Sequence, residues 1–265
     1  MKSHHHAAPP TVLIFAGNDP SGGAGISADI EVISHFGCQP LPIITALTVQ
    51  DTTNVDRLEP VSAELVTQQA ETILNDVKVD AIKIGLIGSL ENLHAIQLIL
   101  KNNPDIPVVM DTILRAGGGA SLSSESFTVR LHELLPFTTI ITPNSDEAQQ
   151  LVPEADSLDE VGEALLKAGA QAVLITGTHA HTDDVINTLY TVHTKSSLDW
   201  PRLSNSYHGS GCTLASAIAA KIAQGEALHR AVNEAQQFTW QSLKQGYRIG
   251  HGQHHPNRVH QAIDE

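Results

Sequence analysis

The chain has 265 residues, 41% of them hydrophobic, with 19 Gly and 13 Pro, and no apolar run approaches the roughly 20 residues that cross a bilayer as a helix. Its 15 Lys and Arg against 29 Asp and Glu leave a formal net charge of −14, which argues against a nucleic-acid or anionic-membrane surface; anionic ligands must be held by local dipoles, a few cations or a metal. Two cysteines, Cys38 and Cys212, make no disulfide framework, and an N-terminus without an apolar signal region sets the expectation of a soluble protein in a reducing cytoplasm.

No shift in composition divides the chain, so the expectation is a flexible tail over residues 1–10 and a single domain over residues 11–265. Thr11 to Ala16 (TVLIFA) is a short apolar run bounded by Pro and Gly, the form of a strand buried on both faces. It empties into Gly17-Asn18-Asp19-Pro20-Ser21-Gly22-Gly23-Ala24-Gly25, a loop able to approach a ligand closely. Ile26, Ile30, Ile33 and Phe36 then recur at helical spacing, and Gly37 ends the helix. Asp29 falls about one turn in, as either a solvated carboxylate or a pocket residue.

Leu41 to Val49 reads as a second strand, with Gln50 to Asn54 as its polar exit. A helix follows over Glu64 to Val77, introduced by Ser62, and Asp80 to Ile87 is the third strand. Lys83 inside that strand either snorkels to an edge or lies near an anion. Ser89 to Lys101 is helical, Pro107 to Asp111 a strand, and Thr112 to Leu122 a loop containing Gly117-Gly118-Gly119. Ser123 to Leu134 is helical and Thr138 to Thr142 a strand, ending in Pro143-Asn144-Ser145-Asp146-Glu147, a helix start. On the first turn of that helix Asn144 and Glu147 either face one site suited to a hydrated Mg²⁺ or simply cap the helix.

Leu158 to Ala168 is helical, and Ala172 to Thr176 is a strand leaving through Gly177-Thr178-His179. Val185 to Thr194 and Ser197 to Leu203 look like paired strands, and helices follow over Thr213 to Gln224 and Glu226 to about Leu243. Ahead of the first of these lies Ser206-Tyr207-His208-Gly209-Ser210-Gly211-Cys212-Thr213. A glycine loop opening a helix leaves backbone N–H groups without intrahelical partners at the positive end of the helix dipole, where a phosphate fits. Cys212 on that turn is either a thiol easier to deprotonate than in free solution or a buried, inert residue. His4, His5 and His6 in the tail, and His251, His254, His255 and His260 near the other end, lack metal-site spacing and read as solvated. Strands and helices alternate, so the expected fold is α/β with a largely parallel central sheet and helices on both faces. The strand-exit motifs should gather at its carboxyl edge.

Gly17-Asn-Asp-Pro-Ser-Gly-Gly-Ala-Gly-Ile-Ser-Ala-Asp29, Ile44-Thr-Ala-Leu-Thr-Val-Gln50, Thr142-Pro-Asn-Ser-Asp-Glu147 and His208-Gly-Ser-Gly-Cys-Thr213 together resemble the hydroxymethylpyrimidine/phosphomethylpyrimidine kinases of thiamine biosynthesis, a ribokinase-like family. The similarity runs from about Val12 to His255. It implies ATP- and Mg²⁺-dependent phosphorylation of 4-amino-5-hydroxymethyl-2-methylpyrimidine, then of its monophosphate to the diphosphate, by a homodimer. By the same resemblance Gln50 bonds the aminopyrimidine edge, and Gly17, Asp29 and Lys83 belong to the substrate side. Cys212 takes the position of the base in sugar-kinase relatives, with the amides of Gly209, Ser210, Gly211 and Cys212 as the anion hole. Asn144, Thr176, His208 and Thr213 fall on the nucleotide side, and Asp111 and Glu147 on the metal.

The chain departs from the family pattern at Asp111-Thr112 and Ala116-Gly117-Gly118-Gly119, where Asp-Pro and a Lys-containing loop are usual. Thr176 replaces a common Lys, and Ser206-Tyr207 replaces Asn-Thr. Three other readings share the fold or the binding site. They are a pyridoxal kinase, a dehydratase of hydrated nicotinamide nucleotides whose aspartate is here Cys212, and a degenerate pyrimidine-binding protein that is not an enzyme.

Overall fold

The computed structural model describes residues 8–114, 125–178 and 183–259. Strand β1 (Thr11–Asn18) sets the architecture, because Val12 to Ala16 are all removed from solvent. Their side chains alternate: Leu13 and Phe15 enter one hydrophobic layer, Val12, Ile14 and Ala16 the other. Each such side chain is worth about 1.5–3 kcal/mol when buried, so the strand is stable only with helices over both faces.

Chain order supplies them. After β1 come α1 (Gly25–His35), β2 (Gln39–Gln50), β3 (Val55–Pro60), α2 (Ala63–Asp76), β4 (Ala81–Ile84), α3 (Leu90–Asn102) and β5 (Val108–Met110). Then follow α4 (Glu125–Leu131), β6 (Ile140–Ile141), α5 (Ser145–Leu151), α6 (Leu158–Lys167), β7 (Ala172–Ile175), β8 (Asp184–Thr191), β9 (Lys195–Pro201), α7 (Ser210–Ala223) and α8 (Leu228–Lys244). The strands form one sheet in the order β3-β2-β1-β4-β5-β6-β7-β8-β9. From β2 to β7 the pairing is parallel; β3 at one edge and β8 and β9 at the other are antiparallel. Helices α2, α3, α5 and α6 cover one face, and α1, α7 and α8 the other.

The α/β expectation therefore describes the molecule, with local differences. Strand β3 lies just past the polar exit Gln50 to Asn54, in a stretch where the sequence suggests no element; its Asp56, Arg57 and Glu59 face solvent, so no apolar pattern marks it. Asp51 makes the turn between β2 and β3, accepting hydrogen bonds from Thr53 N and Asn54 N at 2.7 and 2.8 Å. The helix expected to run to Leu134 gives way after Leu131 to a 3-10 turn, His132–Phe137, which contains Pro136. Gly117-Gly118-Gly119 and His179 lie outside the described residues, as do His4 to His6 and His260.

Candidate active site

A cavity of about 820 Å³ opens at the carboxyl edge of the parallel strands, lined from the ends of β1, β2, β5, β6 and β7 and from the start of α7. Gln50 and the Gly209–Cys212 turn both line it, so the two most specific sequence motifs share one crevice. Gly17, Asp111, Asn144, Glu147, Thr176 and His208 line it as well. Trp200, Trp240 and Arg202 add an aromatic and cationic wall, a surface suited to a nucleotide base.

The loop after β1 is held by Asp19, which accepts from Ser21 N at 2.8 Å, Ser21 Oγ at 2.7 Å and Ala24 N at 2.9 Å. Its other contact is His208 Nε2 at 3.0 Å. Burial alone would raise the Asp19 pKa, but the hydrogen bonds from His208 and Ser21 outweigh it and bring it to about 2. The same ring nitrogen lies 2.9 Å from the Gln50 side-chain amide. A carboxylate can only accept, so His208 Nε2 carries its hydrogen toward Asp19 and cannot also accept from Gln50. The consistent arrangement turns the carboxamide oxygen of Gln50 to the ring and its NH₂ to Thr48 Oγ1, which lies 3.1 Å from the amide and donates to Asn18 O at 2.9 Å. His208, assigned by the resemblance to the nucleotide side, lies between Asp19 and Gln50 and sets the orientation of the Gln50 carboxamide.

Helix α7 begins at Ser210 behind Gly209, whose φ of 80° suits glycine. The first intrahelical bond is Thr213 N to Gly209 O, at 2.9 Å, which leaves the amides of Ser210, Gly211 and Cys212 ahead of the ladder. The expectation of an easily ionised thiol is corrected. Burial, reinforced by the Asp111 charge, pushes the Cys212 pKa well above its ordinary value, so the thiol is neutral and hydrogen-bonds the Asp111 carboxylate. The helix dipole is outweighed because the sulfur is almost wholly dehydrated, at 5% exposure.

Asp111 and Glu147 form the acidic side of the cavity. Burial pushes Asp111 upward, and Glu147 rises to about 8 through burial and then the charge of Asp111. Asp111 Oδ2 is buried without a hydrogen-bond partner, an acceptor left for a cation. Asn144 and Glu147 do cap α5: Asn144 Oδ1 accepts from Asp146 N and Glu147 N, and Glu147 Oε2 accepts from Asn144 N at 3.0 Å. Thr112 Oγ1 donates to the same Glu147 oxygen at 3.3 Å. The cap engages the Asn144 oxygen and Glu147 Oε2, and Glu147 and Asp111 line the cavity together. Among the described residues no group of three or more His, Cys, Asp and Glu is arranged to hold a metal, so a cation here would complete its shell with phosphate and water, as Mg²⁺ does.

Three residues assigned to ligand contact sit below the cavity floor instead. Asp29 and Lys83 are fully buried and paired, with Ser216 Oγ donating to Asp29 at 2.7 Å. They neither border the pocket nor snorkel, because β4 and α1 are covered on that side by α7. Thr213 is also fully buried, donating to Gly209 O at 2.8 Å and accepting from Arg258 Nε at 2.8 Å. Sequence reasoning missed Asp19, for which the Asp-Pro-Ser turn was a signal, and Arg258, for which there was none. It also read the C-terminal histidines as solvated, whereas His255 is buried at 3% exposure.

The profile of the phosphomethylpyrimidine kinase family matches residues 19–257. The hydroxymethylpyrimidine/phosphomethylpyrimidine kinase of Rhizobium meliloti is 34% identical over 247 residues, covering 91% of this chain and 93% of that protein. The thiamine biosynthesis bifunctional protein of Geobacter sulfurreducens is 34% identical over 96% of this chain, which spans about half (53%) of that longer protein. Among solved structures, the ADP complex of Bacillus subtilis pyridoxal kinase superposes with a TM-score of 0.86 at 26% identity, over 95% of this chain and 98% of that one. The phosphomethylpyrimidine kinase of Clostridium difficile gives 0.76 at 31% identity, over 87% and 97%.

Proposed function

The chain belongs to the phosphomethylpyrimidine kinase family, a family of phosphotransferases, and on that premise we propose that its cavity phosphorylates 4-amino-5-hydroxymethyl-2-methylpyrimidine and then the monophosphate, for thiamine biosynthesis. The observation that carries this reading is the shared cavity: an oriented carboxamide at Gln50 for a flat heterocycle, and the free amides of α7 for a phosphoryl group.

Phosphoryl transfer asks a protein mainly for positioning and charge stabilisation. The amides of Ser210, Gly211 and Cys212 take the oxygens of the transferring group. Asp111 and Glu147 would hold Mg²⁺, which supplies countercharge to the nucleotide phosphates; their mutual repulsion and the orphaned Asp111 oxygen fit such a cation. The substrate hydroxyl oxygen forms a bond to the γ-phosphorus as the bond to the bridging oxygen of ADP breaks. Its proton passes to the Cys212 sulfur while the thiol proton passes to Asp111, so no free thiolate need exist.

ATP as donor accords with the ADP and AMP-PCP complexes of the pyridoxal kinases of similar fold. Thr176 lines the nucleotide region without the charge of a Lys, leaving that task to the α7 dipole and the cation. The reading places the enzyme in the cytoplasm as a homodimer. Leu47 and Val49, exposed on β2 at 49% and 48%, offer apolar surface to a second copy, and light scattering over a range of concentrations tests it.

The fold similarity to pyridoxal kinases keeps pyridoxal as the second reading. Incubation with ATP, Mg²⁺ and either alcohol, followed by mass resolution of mono- and diphosphate, separates them. Pyrimidine diphosphate is expected; turnover of pyridoxal alone would replace the reading.

A further inference from the structure

Beyond α8, residues Tyr247 to Arg258 form a strap across the back of the site rather than a tail. It bridges backbone to backbone with two pocket segments. Gln253 N donates to Thr52 O at 3.1 Å, beyond Gln50. His208 N donates to His254 O and His254 N to Ser206 O, both at 2.9 Å, just ahead of α7. Gly23 packs so tightly that an added Cβ would lie 2.5 Å from the His208 ring and 2.9 Å from His255 Nε2.

The strap ends in Arg258, which is 2% exposed. A buried guanidinium is costly unless its donors are used, and here they are spread over three separate elements. Nε donates to Thr213 Oγ1 on α7 at 2.8 Å, Nη2 to the Gly23 carbonyl in the loop after β1, and Nη1 to Glu31 of α1 at 3.1 Å. Thr213 Oγ1 in turn donates to Gly209 O, so the guanidinium reaches the residue that opens the anion hole. A Cβ on Gly209 would lie 2.8 Å from Arg258 Nη2 and would collide with Gly23 O, which shows how closely the two glycine loops are drawn together there.

We propose that Arg258 is a positioning residue for phosphoryl transfer: it pins the substrate loop to the start of α7 and thereby fixes the distance between the bound alcohol and the anion-hole amides. It is buried and does not line the cavity. A planar fork with donors in fixed directions can hold two loops in register in a way that Lys, a single point charge, cannot. The inference rests on the kinase reading above but is separable from it.

The test uses the full chain and its Arg258→Ala, Arg258→Lys and Thr213→Val variants, with kcat and KM for the pyrimidine alcohol and hydrogen exchange of peptides covering residues 19–25 and 209–213. Arg258→Ala is expected to lose at least tenfold in kcat with KM changed less than threefold, and Arg258→Lys to recover little. Low millimolar guanidinium chloride should restore part of the kcat of Arg258→Ala, whereas sodium chloride at equal ionic strength should not. Thr213→Val keeps the Gly23 and Glu31 bonds, so it reads the link to α7 even if the Arg258 variants fail to fold; a loss of several-fold in kcat is expected. A kcat within twofold of the parent in Thr213→Val, or in folded Arg258→Ala, overturns the proposal, as does equal rescue by sodium chloride. If the parent itself does not turn over the pyrimidine, the substrate reading fails. Exchange then decides on Arg258: faster exchange in both loops of Thr213→Val sustains the pin, and unchanged exchange removes it.

Discussion

The Lys83 ammonium lies 2.9 Å from both carboxylate oxygens of Asp29, and neither side chain reaches solvent. Burial alone would lower the Lys83 pKa, but the charges of Asp29 and then Asp111 raise it overall. A lysine raised in this way contributes stability that is complete below its unfolded value of about 10.4 and is lost only as pH rises through the still higher folded value. Lys83 therefore adds no slope near neutral pH. Lys83→Met strands Asp29 without its partner and should cost about 3–5 kcal/mol in urea unfolding, whereas Lys83→Met with Asp29→Leu should recover most of that. Equal losses in the single and double variants would show that the pair is not what matters.

Glu147 has the same sign but puts its slope across the neutral range. With its folded pKa raised to about 8 from the ordinary 4.5, the metal-free folded state holds a proton that the unfolded chain has released. Stability from this group is complete below about pH 4.5 and declines as pH rises to about 8. Glu147→Gln should flatten that decline in metal-free protein. Mg²⁺ binding should release protons below about pH 8, seen in calorimetry as a heat that varies with buffer ionisation enthalpy. Binding with no proton release would remove Glu147 from the cation site.

Cys212 should react slowly with iodoacetamide in the native protein at pH 7, well below the rate of a free cysteine, since its thiol is neutral and nearly enclosed. A relay role predicts a kcat loss of about 10²-fold or more in Cys212→Ala. Turnover equal to the parent would take the sulfur out of the mechanism.

The network Asp19–His208–Gln50 predicts a substrate-selective defect. His208→Ala frees the Gln50 carboxamide to rotate, which should raise KM for the pyrimidine about tenfold, the equivalent of one hydrogen bond, while KM for ATP stays within twofold. Asp19, depressed to about 2, contributes stability present above its ordinary value of 3.8 and lost as pH falls through about 2; His208→Ala should remove much of that acid-limb slope. Equal effects on both substrates would place His208 with the nucleotide after all.

What the sequence made legible was what local patterns carry. The apolar run of β1, the glycine that ends α1, and the glycine turn that opens α7 each announce their own geometry. Gly37 donates to Ser34 O at 2.9 Å and Cys38 to Ile33 O at 3.1 Å, the closure expected of a glycine stop. Residues whose roles depend on partners far along the chain were not legible. Asp29 and Lys83 are 54 positions apart, and Arg258 meets Gly23 across 235, so neither spacing nor composition could pair them. The exposed β3 failed for a different reason: an edge strand hydrogen-bonded on one side to β2 needs no apolar face of its own.

Gly209 and Gly22 separate backbone strain from loop contact. Both adopt positive φ, 80° and 75°, so an added methyl should cost each about 1–2 kcal/mol in strain. They differ in surroundings: a Cβ at Gly22 meets nothing within 4 Å, whereas at Gly209 it runs into the Gly23 carbonyl oxygen and Arg258. Gly209→Ala must therefore push the loop after β1 away from the start of α7. It should lose kcat by about 10²-fold or more, as misplacement by about 1 Å does elsewhere, while Gly22→Ala lowers the melting temperature with kcat within threefold. If Gly22→Ala lost as much activity as Gly209→Ala, strain alone would explain both, and the close approach of the two glycine loops would carry no catalytic weight.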